Sequence, residues 1–121
     1  MEEQSERRKE PRKKLMAFTP VYDRSKGILL GYIQDLTLQG VLVIGEKKLE
    51  ENTQVSLSFE LPGGLPGILA TRLDLSARVA RCENDESSQT YKIGFAFMEV
   101  EPEQAEIIRA LLERYHFHHK M

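Results

Sequence analysis

Alternating apolar and polar residues predict β-strands along the middle of the chain. Between residues 54 and 61 every second residue is apolar, which is typical of a strand with one face in a core and the other in solvent. The same period of two recurs over residues 69–79 and 91–97. We therefore expect three strands here, with Leu69 and Phe95 among the residues that face the core.

Shorter apolar runs precede these strands and are separated by turn-forming residues. They cover residues 18–22, 28–33 and 41–44, with polar, glycine-containing turns at 24–27 and 35–40. Glycine, serine and aspartate favour tight turns because they adopt unusual backbone angles or bond to their own backbone. The first part of the chain thus predicts three more strands, joined by turns.

The end of the chain predicts a helix. Apolar residues recur at intervals of three and four from Ala105 to Tyr115, a spacing that gathers them on one helical face. Pro102 suits the first turn of a helix, so the expected helix covers about residues 102–117. Six strands and one helix predict an all-β fold, a six-stranded antiparallel β-barrel with a C-terminal helix, over residues 15–121.

Residues 1–14 differ from the rest of the chain. Residues 7–14 hold six basic residues and one acidic residue, whereas the whole chain has a net charge of −2. Apolar periodicity is absent, and Pro11 opposes a helix, so we predict a flexible basic N-terminal arm over residues 1–14. A basic arm on an acidic body favours a small anionic ligand, and no nucleic acid polymer is expected.

Several classes of function find no support in the sequence. No stretch approaches the roughly 20 apolar residues of a membrane span, and no signal peptide is predicted. The single cysteine, Cys82, cannot form an internal disulfide, so we expect a cytoplasmic protein. His116, His118 and His119 lack the spacing of metal ligands, so neither a metal site nor another cofactor is expected. No catalytic constellation or phosphate-binding loop is present, so we expect no enzyme activity.

An Arg-x-x-x-Arg motif in the arm is the first candidate for ligand binding. It consists of Arg8 and Arg12, with Arg7 beside it. A guanidinium group is always charged, matches phosphate oxygens with paired donors and stacks on flat bases. The motif could therefore neutralise two phosphates and stack on or read a guanine, although an unstructured basic leader would give the same pattern.

An Asp-x-Thr-x-x-Gly motif in a predicted turn is the second candidate. The carboxylate of Asp35 can accept hydrogen bonds from the N1–H and the amine of guanine, and Thr37 adds a hydroxyl group. Gly40 tolerates positive φ and lets a ligand approach the backbone closely. A plain Asx-type turn with a glycine exit would also explain the pattern.

Taken together, in this order, the two motifs resemble the PilZ domain, a bacterial receptor for cyclic di-GMP. The family pattern is Arg-x-x-x-Arg followed, after a pair of strands, by Asp/Asn-x-Ser-x-x-Gly. The matching residues, which we predict to bind ligand together with Arg7, are Arg8, Arg12, Asp35, Thr37 and Gly40.

The resemblance covers about residues 7–115, since Gly94 and Phe97 are similar to the glycine-x-x-phenylalanine of the family's late strand. Thr37 stands where serine is usual, which keeps the hydroxyl but adds a methyl group, so a modest loss of affinity is expected. PilZ domains are six-stranded barrels whose N-terminal arm folds over cyclic di-GMP, and they are not enzymes. The resemblance implies a receptor that changes conformation and regulates a downstream protein.

The sequence leaves the stoichiometry and two alternative functions open. Arg7 favours a second cyclic di-GMP molecule stacked on the first, although one molecule per protein is also compatible with the motif. A PilZ-like adaptor that binds only protein, without nucleotide, is the main alternative function. A binder of single-stranded nucleic acid is disfavoured, because the aromatic residues fall mostly on inward faces and the body is acidic.

Overall fold

Six antiparallel strands close into a barrel in the computed structural model, which describes residues 14–15 and 19–116. This confirms the predicted fold class of a six-stranded barrel with a C-terminal helix. In chain order the described elements are β1 (Lys14–Leu15), β2 (Pro20–Asp23), β3 (Ile28–Leu36), β4 (Gly40–Gly45), β5 (Gln54–Glu60), β6 (Arg72–Asp85), β7 (Thr90–Glu99), α1 (Pro102–Arg114) and β8 (Tyr115–His116).

The order of strands around the barrel is β2-β3-β4-β7-β6-β5, and β5 pairs back with β2. The chain therefore leaves its sequential order after β4, whose second neighbour is β7 and not β5. This crossover places the turn between β3 and β4 beside the end of β7. The Asp-x-Thr-x-x-Gly motif at residues 35–40 consequently lies beside the glycine-x-x-phenylalanine segment at residues 94–97.

The barrel core is built from the inward faces that the period of two predicts. Leu57 and Phe59 are fully buried, and Phe95 is nearly so. The inward position predicted for Leu69 is wrong, because β6 begins only at Arg72 and Leu69, in the preceding loop, is 97% exposed. The other fully buried core side chains are Val21, Val43, Ala77, Val79, Ile93, Ile108 and Leu111.

Helix α1 begins at Pro102, as predicted, and ends at Arg114, where the chain turns into β8. Its side chain–backbone bonds anchor it at both ends: Gln104 Nε2 donates to the carbonyl of Asp74 at 2.6 Å, and Arg114 Nη1 donates to that of Gly64 at 2.6 Å. In the described part of the chain, no helix has the length and apolar character needed to cross a bilayer.

The chain approaches the barrel along β1, which pairs in parallel with β8. Lys14 lies opposite Tyr115, and the carbonyl of Thr19 accepts a hydrogen bond from Ile33 N at 2.8 Å. The barrel is thus entered beside β3. Apart from Lys14, the predicted arm lies outside the described residues, so the boundary between arm and barrel stays a prediction.

Candidate ligand-binding site

The turn between β3 and β4 is a short hairpin that holds the second motif. Leu36 and Val41 form the last cross-strand pair, and Thr37 N donates to the carbonyl of Gly40 at 2.9 Å. Leu38 and Gln39 form the exposed tip. The motif residues therefore lie at the rim of the barrel, on a turn whose ends are fixed by strand pairing.

The hydroxyl group of Thr37 organises this turn. Its Oγ1 accepts hydrogen bonds from Gln39 N at 3.1 Å and from Gly40 N at 3.2 Å. It satisfies two backbone donors that the turn would otherwise leave to solvent, in the manner of a threonine side-chain turn. The Asx-type turn considered from the sequence is not what forms, because Oδ1 of Asp35 accepts from the adjacent Leu36 N at 2.9 Å.

A β-bulge directs Asp35 to the outer surface of the barrel. The pairing of β3 with β4 shifts register between Ile33 and Asp35, which leaves Gln34 as the extra residue. Asp35 then lies opposite Leu42, whose strand neighbours Val41 and Val43 are buried. Since cross-strand partners share a face, the half-buried Asp35 side chain lies outside the core, as bulges near binding sites often arrange.

Gly40 has a packing role in the barrel beside its predicted role in ligand approach. It is not among the residues with positive φ, so the hairpin does not use its tolerance of that conformation. A Cβ at Gly40 would overlap the carbonyl oxygen of Phe95, and the adjacent Gln39 carbonyl accepts from Phe97 N at 2.9 Å. Gly40 therefore permits close approach between the hairpin and β7.

An open depression of about 280 Å³ lies at this corner of the barrel. Asp35, Thr37 and Gln39 are its polar lining residues, and Ala96 contributes a small side chain to its wall. A planar base can lie against such a surface while its edge meets the polar residues. The other lining residues are Leu36, Gly40, Val41, Leu42 and Phe95.

The outer surface continues from this depression across β7 to β6. Leu42 pairs with Gly94, and Gly94 pairs with Arg81 on β6. Arg81 Cγ and Cδ lie 3.4 and 3.8 Å from the place where a Cβ on Gly94 would stand. The side chain of Arg81 therefore lies across the bare backbone of β7. Arg81 belongs to neither sequence motif, although its partner Gly94 is part of the family resemblance.

A second concavity, of about 270 Å³, lies on the same two strands β3 and β4 but at their opposite ends. Its walls are mostly apolar, and Ile28, Leu29 and Tyr32 are about 40% exposed there. Its lining also includes the polar residues Glu46, Lys47 and Thr90. The corner at Asp35 is taken as the candidate site because it holds the Asp-x-Thr-x-x-Gly motif.

The structure brings together three of the six predicted site residues. Asp35, Thr37 and Gly40 lie on one hairpin, and all three line the depression. Arg7, Arg8 and Arg12 lie outside the described residues, so their predicted roles remain predictions.

Comparisons with known proteins identify the same fold. The family model for the PilZ domain matches residues 6–114. Among solved structures, that of the Bacillus subtilis inhibitor of motility, MotI/DgrA, matches with a TM-score of 0.61 and 18% sequence identity. The match covers 91% of this chain and 52% of that chain, so this chain spans about half the length of that neighbour. At this identity the likeness shows a shared fold. No curated protein matches the sequence.

Proposed function

Because this chain belongs to the PilZ domain family, we propose that it is a stand-alone receptor for cyclic di-GMP that regulates a downstream protein. PilZ domain proteins are typically receptors or adaptors and not enzymes. We propose that this chain, likewise, is not an enzyme. The observation that carries the proposal is the hairpin at residues 35–40, where Asp35, Thr37 and Gly40 line one open depression at the rim of the barrel.

In this proposal Asp35 reads the edge of guanine. An ionised carboxylate has two acceptor oxygens, and guanine presents two neighbouring donors at N1 and its amine. Adenine lacks this donor pair, so the arrangement discriminates between the two purines. The bulge at Gln34 supports this role, since it puts Asp35 on the outer face without disturbing the buried neighbours Ile33 and Leu36.

The arginines of the arm supply the phosphate contacts in this proposal. Arg8 and Arg12 bind the two phosphates of the ligand, and Arg7 stacks on a second cyclic di-GMP molecule. Arg12 is two residues before Lys14, which lies opposite Tyr115, and seven residues before Thr19, a segment that spans at most about 25 Å. Thr19 itself is hydrogen-bonded to Ile33, two residues from Asp35.

Ligand binding would act as a switch by ordering the arm. Fixing a backbone residue costs roughly 1–2 kcal/mol, and a hydrogen bond to a charged group contributes about 1.5–3 kcal/mol. Several arginine–phosphate bonds can therefore offset the ordering of a short segment. The ordered arm is then a new surface for the regulated protein. Cyclic di-GMP is a cytoplasmic second messenger, so the proposal implies that the protein acts in the cytoplasm.

Calorimetric titration of the full chain tests the proposed function. We expect saturable binding of cyclic di-GMP, much weaker binding of cyclic di-AMP, and two ligand molecules per protein. In Arg7→Leu the stoichiometry should fall to one. A nucleotide-independent adaptor would give no binding heat with either dinucleotide, and that result would contradict the proposal. A firm ratio of one that is unchanged in Arg7→Leu would contradict the role of Arg7.

A further inference from the structure

Arg81 lies on the same outer face as Asp35, at the other end of a cross-strand row. The row runs from Asp35 on β3 through Leu42 on β4 and Gly94 on β7 to Arg81 on β6. Three strand spacings of about 4.8 Å separate its ends, which makes about 14 Å between the two backbones. A carboxylate and a guanidinium thus flank one continuous strip of barrel surface.

The row between these two charges contains no charged residue, since it holds only Leu42 and Gly94. Gly94 has no side chain, and Ala96, its outward neighbour on β7, has a single methyl group. The Cγ and Cδ of Arg81 lie 3.4 and 3.8 Å from the place that a Cβ on Gly94 would take, which is ordinary van der Waals contact. The stem of its side chain therefore lies against β7, the neighbour of β6 in the direction of Asp35.

The guanidinium of Arg81 remains accessible to a ligand. Its Nε lies 3.6 Å from Oε2 of Glu83, and the two side chains are 67% and 60% exposed. An exposed ion pair of this kind contributes little to stability, because water screens both charges. A phosphate can therefore replace Glu83 as the partner of Arg81, with the fork of donors that phosphate oxygens match.

We propose that Arg81 is a further ligand-binding residue, which contacts a phosphate of the cyclic dinucleotide whose guanine lies against Asp35. This assignment rests on the proposed function and adds a cationic side chain that neither sequence motif contains. The ligand would be held between the hairpin at residues 35–40 and β6, across the strip at Gly94. In this arrangement Glu83 opposes binding, since it competes for the same guanidinium.

Calorimetry with cyclic di-GMP on the full chain tests the assignment. Arg81→Gln should weaken binding roughly fivefold to tenfold, the scale of an exposed charge-assisted bond. The matched control is Arg109→Gln, which removes the same charge from an exposed position on α1 and should change affinity less than about twofold. Equal effects of the two substitutions would overturn the assignment, because Arg81 would then affect affinity only through the net charge of the protein.

A double-mutant cycle with Glu83 distinguishes ligand binding by Arg81 from a purely structural role, because only ligand binding makes the effect of Glu83→Gln on affinity depend on Arg81. Glu83→Gln should strengthen binding about twofold to threefold in the unchanged background and have no effect in the Arg81→Gln background. Equal strengthening in both backgrounds would contradict the competition. If the unchanged protein binds cyclic di-GMP and Arg81→Gln binds it equally well, this assignment alone is refuted. If the unchanged protein does not bind cyclic di-GMP, the proposed function and the assignment are both refuted.

Discussion

Gly40 lies so close to Phe95 that a methyl group on Gly40 would overlap the Phe95 carbonyl oxygen. The two residues belong to the paired strands β4 and β7, so the overlap can be relieved only by moving one backbone away from the other. The glycine that the sequence motif suggests for ligand approach is thus also a requirement of the barrel itself.

The first prediction concerns this contact. Gly40→Ala should lower the free energy of unfolding by about 1–3 kcal/mol, the usual cost of overpacking at a site that cannot relax. Urea denaturation measures this cost. The control is Gly63→Ala, where an added methyl group meets nothing within 4 Å. Equal stability of Gly40→Ala and Gly63→Ala would show that the two strands separate easily.

The second prediction concerns the hydroxyl of Thr37. Thr37→Val keeps the shape but leaves the backbone N–H groups of Gln39 and Gly40 to solvent. We expect a loss of about 0.5–1 kcal/mol of unfolding free energy and weaker binding of cyclic di-GMP, because the turn that positions Asp35 loosens. Thr37→Ser keeps both acceptor bonds, and its stability in urea should stay near that of the unchanged protein. If Thr37→Ser were as unstable as Thr37→Val, the methyl group and not the hydroxyl would hold the turn.

The third prediction concerns the selectivity of Asp35. Asp35→Ala should reduce the affinity for cyclic di-GMP about tenfold and bring it closer to the affinity for cyclic di-AMP, since the acceptor of the guanine donors is gone. Competition binding of the two dinucleotides measures this ratio. Glu86→Ala removes the same charge from an exposed turn and should leave the ratio unchanged. A strong preference for cyclic di-GMP that survives Asp35→Ala would assign guanine reading to another residue.

The fourth prediction concerns the geometry of the arm's arginines. Arg8→Ala and Arg12→Ala should each weaken cyclic di-GMP binding tenfold or more, on the scale of about 1.5–3 kcal/mol per charged bond. Arg12→Lys should also weaken it, because lysine keeps the charge but loses the donor fork and the stacking plane. Lys9→Ala, a charge loss within the same arm, serves as the control in the titration. Equal affinity of Arg12→Lys and the unchanged protein would mean that charge alone acts there.

Much of the barrel was predictable because its signals are local. The period of two at residues 54–61 reports which side of a strand is buried, and Pro102 marks the start of α1. Leu69 shows the limit of this reasoning, since an apolar residue in a proline- and glycine-rich loop carries the same signal as one in a strand. Its exposure depends on where β6 begins to pair with β5, at Arg72, which is a property of two distant segments.

The candidate site was predictable only where chemistry and turn formation coincide in one segment. The turn that follows Asp35 was predicted from its residues, but the bulge at Gln34 depends on the register of β3 with β4. The position of Arg81 relative to Asp35 depends on a third and a fourth strand, through its pairing with Gly94. Such relationships follow from strand order, which the alternating pattern does not encode.

Amide chemical shifts of the full chain, recorded by NMR during titration with cyclic di-GMP, test the central claim most directly. The claim is that a guanine dinucleotide lies against the outer barrel wall at residues 35–40 and is enclosed by the basic arm. The account predicts that the amides of residues 35–40 and of the arm around Arg8 and Arg12 shift together and saturate at the same ligand concentration. If both groups of amides remained unchanged at excess ligand, the account would be contradicted.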